Sequence, residues 1–157
     1  MALEFSQKTL QEIKEILKRF PTKMAASLPV LQLAQRDFGY INDEIIEYIA
    51  GLLDVTPAEV HSIVSFYTMF YRKETGKYII QVCQTLSCSL LGAESIVEHI
   101  KKKLGIGPGE TTPDKKFSLV KVECLGSCGT APVMRINDDY FENLTIQKIN
   151  EIIDNLP

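Results

Sequence analysis

Cysteine is the residue whose type and spacing in this chain suggest chemistry. The 157 residues include four cysteines, which form the pairs Cys83-x4-Cys88 and Cys124-x3-Cys128 and leave none over. A 2Fe-2S cluster takes four thiolates, two on each iron, and a closely spaced pair lets one loop hold one iron. The two pairs therefore predict a single 2Fe-2S centre. Its expected metal ligands are Cys83, Cys88, Cys124 and Cys128.

Two predicted strands position these cysteine loops. Lys77 to Cys83 and Phe117 to Cys124 have the β-branched and alternating content of strands, and each runs directly into one cysteine pair. Leu90 to Leu104 between them has helical spacing, which places Cys88 just ahead of a helix whose N-terminal dipole would favour a thiolate. In the second loop, Gly126 and Gly129 are expected to let backbone amides approach the cluster sulfides.

The rest of the C-terminal half completes a small mixed sheet. Pro132 to Asn137 and Tyr140 to Glu142 are predicted strands joined by a turn at Asp138-Asp139, and a final helix carries Ile146, Ile149, Ile153 and Leu156. The element order strand, helix, strand, strand, strand, helix matches a thioredoxin-like α/β sandwich. Residues 77–157 are therefore predicted to form the 2Fe-2S domain.

Residues 1–76 are predicted to form a helical lobe ahead of that domain. Four helices are expected, over Leu10 to Phe20, over Thr22 to Phe38, after Asn42 and after Thr56. The last start is the clearest, because Thr56-Pro57-Ala58-Glu59 combines a capping threonine, a proline at the first helical position and a glutamate three residues after the cap. The predicted fold class is α+β, a helical lobe followed by a thioredoxin-like ferredoxin domain.

Other uses of four cysteines stay open on the sequence alone. The spacing permits a structural zinc site, although such sites favour short ribbon or knuckle folds. A dithiol oxidoreductase would carry C-x-x-C, which neither pair has. A Rieske centre needs two histidines beside two cysteines, whereas His61 and His99 adjoin none; we expect a packing role for His61 and a surface position for His99. Spacing thus favours a 2Fe-2S cluster.

Composition and charge limit the classes of partner. The chain is 45% hydrophobic with a net charge of -3 at pH 7, so it can form a core but has no global positive field to attract nucleic acid. No stretch approaches the roughly 18 to 20 consecutive apolar residues that span a bilayer, and Met1 to Lys8 lack a signal-peptide pattern. We expect a cytoplasmic protein without direct membrane insertion, peripheral to a membrane only through a larger complex.

With both loops placed, the chain resembles the thioredoxin-like 2Fe-2S subunit family of the complex I NADH dehydrogenase module and of related NAD-linked hydrogenases, including electron-bifurcating ones. The similarity runs over nearly all the chain. Its most specific parts are the first cysteine pair, the segment CLGSCGTAPVM from Cys124 to Met134, and the segment VSFYTMF from Val64 to Phe70. Ser127 stands where alanine is common in the family, a small-for-small change.

The resemblance implies a non-autonomous oxidoreductase subunit that transfers electrons through one 2Fe-2S cluster. The parent complex would be an NADH:quinone dehydrogenase or an electron-bifurcating FeFe hydrogenase, and a partner subunit would bind FMN and NAD(P), with further iron-sulfur subunits beyond it. The chain shows no nucleotide loop and no acid-base constellation, so we expect no catalytic residues and no complete active site on it alone.

A structural assembly module is the alternative of a different class. In that case a cluster or a zinc ion only staples the fold, and the aromatic run from Ser65 to Tyr71 provides a binding surface. One face of this run must be core, and the remainder is expected to pack between the two lobes or against another subunit. A free thiol oxidoreductase is the third hypothesis.

Overall fold

A computed structural model describes residues 4–157 of the protein. The chain forms two compact units, one that ends at Glu74 and one from Thr75 to Pro157. The boundary expected from the sequence, between residues 76 and 77, lies slightly further along. The first unit is helical and the second combines a sheet with helices, so the predicted α+β fold class is confirmed.

The described part of the first unit, residues 4–74, contains four α-helices around an apolar core. They are α1 (Gln7–Lys18), α2 (Ser27–Phe38), α3 (Asp43–Leu53) and α4 (Pro57–Phe66), with a 3-10 turn over Met24–Ala26 before α2. Leu31, Ile49 and Val60 are fully buried, each on a different helix. The helix predicted from Thr22 begins only at Ser27, and Pro29 lies in its first turn, where its missing amide proton costs no hydrogen bond.

Side-chain caps fix where these helices begin. Asn42 Oδ1 accepts a hydrogen bond from the amide of Ile45 at 3.0 Å, as expected for the start of α3. At the start of α4, Thr56 Oγ1 accepts from the Glu59 amide at 3.3 Å, and Glu59 Oε2 accepts from the Thr56 amide at 2.8 Å. This reciprocal pair is the predicted capping box.

The capping box predicts a pH-dependent stability for the first unit. Hydrogen bonds from the amide and then the hydroxyl of Thr56 hold the pKa of Glu59 below its ordinary value. A lowered native pKa stabilises the fold above the ordinary carboxyl pKa of about 4.3, and this stabilisation is lost as the pH falls through the native pKa. We expect Glu59→Gln to unfold at lower urea concentration than wild type near neutral pH, with the gap closing in acid.

Glu47→Gln is the matched control for this measurement, because Glu47 is an exposed carboxylate in the middle of α3. It should show no comparable gap at any pH. If the urea midpoints of wild type and Glu59→Gln differed as much in acid as at neutral pH, the charged carboxylate would not be the source of the stabilisation.

The second unit is a five-stranded mixed sheet with helices. Its strands are β1 (Tyr78–Cys83), β2 (Glu110–Thr111), β3 (Phe117–Val122), β4 (Met134–Ile136) and β5 (Asp139–Phe141). Its helices are α5 (Leu86–Leu90), α6 (Ala93–Leu104) and α7 (Ile146–Asn155). The strand order is β2-β3-β1-β4-β5; β1 and β3 are parallel, and the other neighbours are antiparallel.

The parallel pair β1 and β3 requires a crossover, which α5 and α6 supply. α6 contacts both strands and also α7. The core between sheet and helices contains side chains that are fully buried, among them Ile80 on β1, Leu119 on β3, Ile100 on α6 and Ile149 on α7. This packing fixes the ends of β1 and β3 from which the cysteine loops leave.

Several predicted element boundaries in this unit are wrong by a few residues. β3 ends at Val122 rather than Cys124, and the hairpin turn lies at Asn137-Asp138, where Asn137 adopts φ 52°. Asn137 suits this conformation because its side chain accepts from the Ile79 amide and donates to the Lys77 carbonyl, both at 3.0 Å. β2 was not predicted, because two residues are too short to show an alternating pattern.

A helix that crosses a membrane must be long and apolar. Among the helices formed by residues 4–157, none combines the length and the apolar character needed to cross a bilayer.

Candidate metal centre

The parallel pairing of β1 and β3 brings the two cysteine loops to one edge of the sheet. Cys83 is the last residue of β1 and pairs in register with Val122, the last residue of β3. Cys124 follows two residues later, and the Gln84 amide still donates to the Val122 carbonyl at 3.0 Å. Because parallel strands end at the same edge, loops distant in sequence meet there.

The four thiols form one exposed and one buried pair. Cys83 and Cys88 are each only 2% exposed, Cys124 and Cys128 are exposed, and all four are free of disulfides. Sγ of Cys124 lies 3.7 Å from Sγ of Cys128. Two thiolates at about 2.3 Å from one tetrahedral ion lie about 3.8 Å apart. The exposed pair is therefore spaced like two ligands of one metal ion.

The two pairs also lie close enough to interact electrostatically. Cys83 hydrogen-bonds Cys88, and the charge on Cys83 acts on both Cys88 and Cys128. Within residues 4–157, no three cysteine, histidine or carboxylate side chains surround one point in the manner of a single-ion site. A 2Fe-2S cluster asks for two thiolates on each iron. Two neighbouring pairs of free thiols fit that requirement.

Local hydrogen bonds prepare Cys83 to ionise. Burial opposes the charged form, but hydrogen bonds from the hydroxyl and amide of Thr85 and from the amide of Leu125 outweigh it, and the pKa of Cys83 lies below its ordinary value. Thr85 Oγ1 lies 3.2 Å from Cys83 Sγ. Amide and hydroxyl donors of this kind stabilise a thiolate, the form that binds metal.

Cys88 differs from its expected setting. It lies inside the five-residue helix α5 rather than just ahead of a helix, because Gly92, at φ 92°, separates α5 from α6. Burial and then the neighbouring Cys83 raise the pKa of Cys88, although the Val133 amide donates to it. Burial and Cys83 thus oppose ionisation of Cys88, and the contribution of a helix dipole to its thiolate stays a prediction.

The exposed pair sits in a turn shaped by glycine. Gly126 adopts φ 81°, and its amide donates to Cys124 Sγ at 3.3 Å. The hydrogen bond and charge of Cys124 raise the pKa of Cys128. The amide of Gly126 thus approaches a cysteine sulfur, while the approach of the Gly126 and Gly129 amides to cluster sulfides stays a prediction.

Glu142 contacts this loop and was not found from the sequence. Its carboxylate accepts from the Thr130 hydroxyl at 2.7 Å and also from the Ser127 hydroxyl. Ser127 and Thr130 flank Cys128, so Glu142 holds the turn that carries one candidate ligand. No spacing rule signals such a contact, because it depends on how the β4-β5 hairpin folds back beside the loop.

Both histidines have partners of their own. Nδ1 of His61 lies 3.2 Å from Oγ of Ser65, and Nε2 of His99 lies 2.9 Å from Oδ1 of Asn150. The expected packing role of His61 is wrong, because the residue is exposed, and His99 is half-buried rather than on the surface.

The chain is similar in sequence to subunits of NADH dehydrogenases. The chain is 46% identical over 155 residues to an NADH-quinone oxidoreductase subunit of Rickettsia conorii, covering 97% of this chain and 93% of that one. It is 46% identical over 144 residues to NADH-quinone oxidoreductase subunit 2 of Thermus thermophilus, covering 90% and 80%. The mitochondrial NADH dehydrogenase (ubiquinone) flavoprotein 2 of Dictyostelium discoideum is 41% identical, covering 98% and 63%.

A solved structure shares the fold at low identity. A chain of an NAD+-reducing NiFe-hydrogenase superposes with a TM-score of 0.71 at 21% identity, covering 82% of this chain and 22% of that one. The family model described as thioredoxin-like 2Fe-2S ferredoxin matches residues 13–157. That match spans both cysteine loops and nearly the whole chain. The chain belongs to the thioredoxin-like 2Fe-2S ferredoxin family.

Proposed function

We propose that this chain is an electron-transfer subunit of a multisubunit NAD(H)-dependent flavin and iron-sulfur oxidoreductase. The observation that carries the proposal is the meeting of two free thiol pairs at the common edge of β1 and β3. The proposed ligands of the cluster are Cys83, Cys88, Cys124 and Cys128. We assign the cluster-binding domain to residues 77–157 and the helical lobe to residues 1–76.

The buried and the exposed cysteines would hold different sides of the proposed 2Fe-2S cluster. When bound, a 2Fe-2S cluster accepts and passes on one electron at a time. Cys83 and Cys88 are buried and fix one side of the site, whereas Cys124 and Cys128 are exposed and bring the other side to the surface. Electrons should therefore enter and leave on the Cys124 side, where a partner can approach most closely.

The names of the relatives support a partner with its own active site. The related chains are subunits of NADH-quinone oxidoreductases, and this chain spans 93% of the length of one of them. The proposed partner binds FMN and NAD(P), with further iron-sulfur subunits beyond it, in a complex of the NADH:quinone dehydrogenase or hydrogenase type. We place this chain in the cytoplasm, where the complex can attach it to a membrane.

Anaerobic reconstitution of the full chain with iron and sulfide tests the proposal. We expect two irons and two sulfides per chain, and an EPR signal that appears on reduction with dithionite. The same procedure with zinc in place of iron and sulfide provides the comparison. One tightly bound zinc per chain, with no iron retained after desalting, would contradict the proposal and favour the zinc alternative.

A structural assembly module remains a second candidate because of the first unit. Phe66 is 76% exposed at the end of α4, and Met69 is 42% exposed after it, whereas Phe70 is buried in the core. Exposed large apolar side chains so close together are typical of interaction surfaces. Electron flow through the assembled complex separates the two candidates, since only the electron-transfer proposal requires an intact cluster.

A further inference from the structure

Glu142 links the loop of Cys128 to the β4-β5 hairpin by several hydrogen bonds. Thr130 Oγ1 donates to Glu142 Oε1 at 2.7 Å, and the Ser127 hydroxyl donates to the same carboxylate. The backbone adds a second connection, because the Asn143 amide donates to the Thr130 carbonyl at 2.7 Å. The residues on both sides of Cys128 are thus held by one acidic side chain and its neighbour.

The surroundings of Glu142 keep it charged. Hydrogen bonds from Thr130 and then Ser127 hold the pKa of Glu142 below its ordinary value, and the charge of Lys148 acts in the same direction. The ammonium group of Lys148 donates to the Glu142 backbone carbonyl at 2.5 Å. The half-buried carboxylate therefore provides a fixed negative charge beside the cysteine loop.

This arrangement places a negative charge beside the loop that carries Cys128. A nearby negative charge disfavours the addition of an electron to a metal group. The charge of Glu142 therefore lowers the reduction potential of a cluster held by Cys128.

We propose that Glu142 is a positioning residue for the cluster: its carboxylate holds the Cys128 loop through Ser127 and Thr130, and its charge keeps the reduction potential low. The effect of Glu142 on the reduction potential rests on the proposed function. Its hold on the Cys128 loop does not, because the hydrogen bonds to Ser127 and Thr130 exist before any cluster is bound.

Amide hydrogen exchange of the full chain without a cluster tests the positioning role. Glu142→Gln keeps one acceptor oxygen but removes the charge that strengthens both hydroxyl bonds. We expect the amides of Thr130 and Asn143 to exchange about tenfold faster, a change that corresponds to about 1.4 kcal/mol. Glu151→Gln, at an exposed carboxylate whose side-chain partner is Gln147 on α7, should leave both rates unchanged. Equal rates in all three proteins would overturn the positioning role.

A redox titration of the reconstituted chain, followed by EPR, tests the role of the charge. The midpoint potential of Glu142→Gln should shift in the positive direction, while Glu151→Gln stays at the wild-type value. Thr130→Val keeps the charge and removes one hydroxyl, so it should speed amide exchange with little shift in potential. A Thr130→Val shift as large as that of Glu142→Gln, or no shift in Glu142→Gln, would overturn the role of the charge.

The two measurements also separate this inference from the proposed function. If the chain takes up zinc and no iron, the proposed function fails, while the exchange rates still decide whether Glu142 holds the loop. If the chain takes up a cluster but Glu142→Gln behaves like Glu151→Gln in both measurements, the inference fails and the proposed function stands.

Discussion

Replacing Cys124 with alanine is expected to abolish the 2Fe-2S cluster while leaving the chain folded. Cys124 is exposed, so its replacement removes little buried apolar surface, yet it takes one of two thiolates from one iron. Alanine is preferred to serine here because a serine oxygen can itself ligate iron. Iron content and the EPR signal of the reduced protein should fall close to zero, while the circular dichroism spectrum stays that of wild type.

Ser89→Ala is the matched control for this variant, because Ser89 is an exposed residue of α5 next to Cys88. It should retain full iron content. Full iron content in Cys124→Ala would remove Cys124 from the ligand set.

Cys124→Ala also tests whether this subunit carries electrons in the assembled complex. With Cys124→Ala bound in the complex, electron flow from NADH along the path through this subunit should cease if the chain is a carrier. Persistence of that flow, with the subunit still bound, would favour the structural assembly module instead.

Replacing Gly76 with alanine is expected to destabilise the second unit strongly. A Cβ at this position would lie 2.6 Å from the carbonyl carbon of Phe117, 2.8 Å from its nitrogen and 2.9 Å from its Cα. These are backbone atoms of β3, so no side-chain rotation relieves the clash. The Gly76 amide also donates to the buried Ser118 hydroxyl at 2.7 Å, which holds the two segments together. We expect a loss of about 2 kcal/mol or more in the free energy of unfolding, measured in urea.

The same variant should weaken cluster retention, because β3 leads into the second cysteine loop. Gly107→Ala is the control in the same unit, since its Cβ would only meet the Glu110 carboxylate at 3.4 Å. That control should change the free energy of unfolding by less than about 0.5 kcal/mol. A Gly76→Ala protein as stable as Gly107→Ala would show that the close approach to Phe117 is not tightly held.

Local sequence signals located the elements whose ends are marked by specific residues. The capping box at Thr56 and Glu59 and the left-handed Gly39 after α2 appear where the sequence predicts them, because each depends on contacts within a few residues. β2 and the break at Gly92 were missed for the opposite reason. A two-residue strand exists only because β3 lies beside it, and Gly92 interrupts a run that otherwise reads as helical.

The candidate site also combines features that the sequence predicts with features that it does not. Cysteine count and spacing alone indicated two thiol pairs suited to a two-iron cluster, because close ligand spacing is a property of one loop. The difference between the pairs depends on the folded chain. Cys88 is buried whereas Cys128 is exposed, and burial raises the pKa of Cys88. Glu142 is the clearest case, since its contact with the Cys128 loop joins separate segments of the chain.

The sequence by itself determined the α+β class, the two thiol pairs and the fact that each pair lies in a loop that follows a strand, because these features follow from local periodicity and spacing. Only the tertiary structure decided that the pairs meet, since the parallel register of β1 and β3 brings Cys83 beside Val122 and so near Cys124. It also decided which pair is exposed and which acidic residue holds the second loop. These features depend on burial and charge between distant segments, which no local pattern encodes.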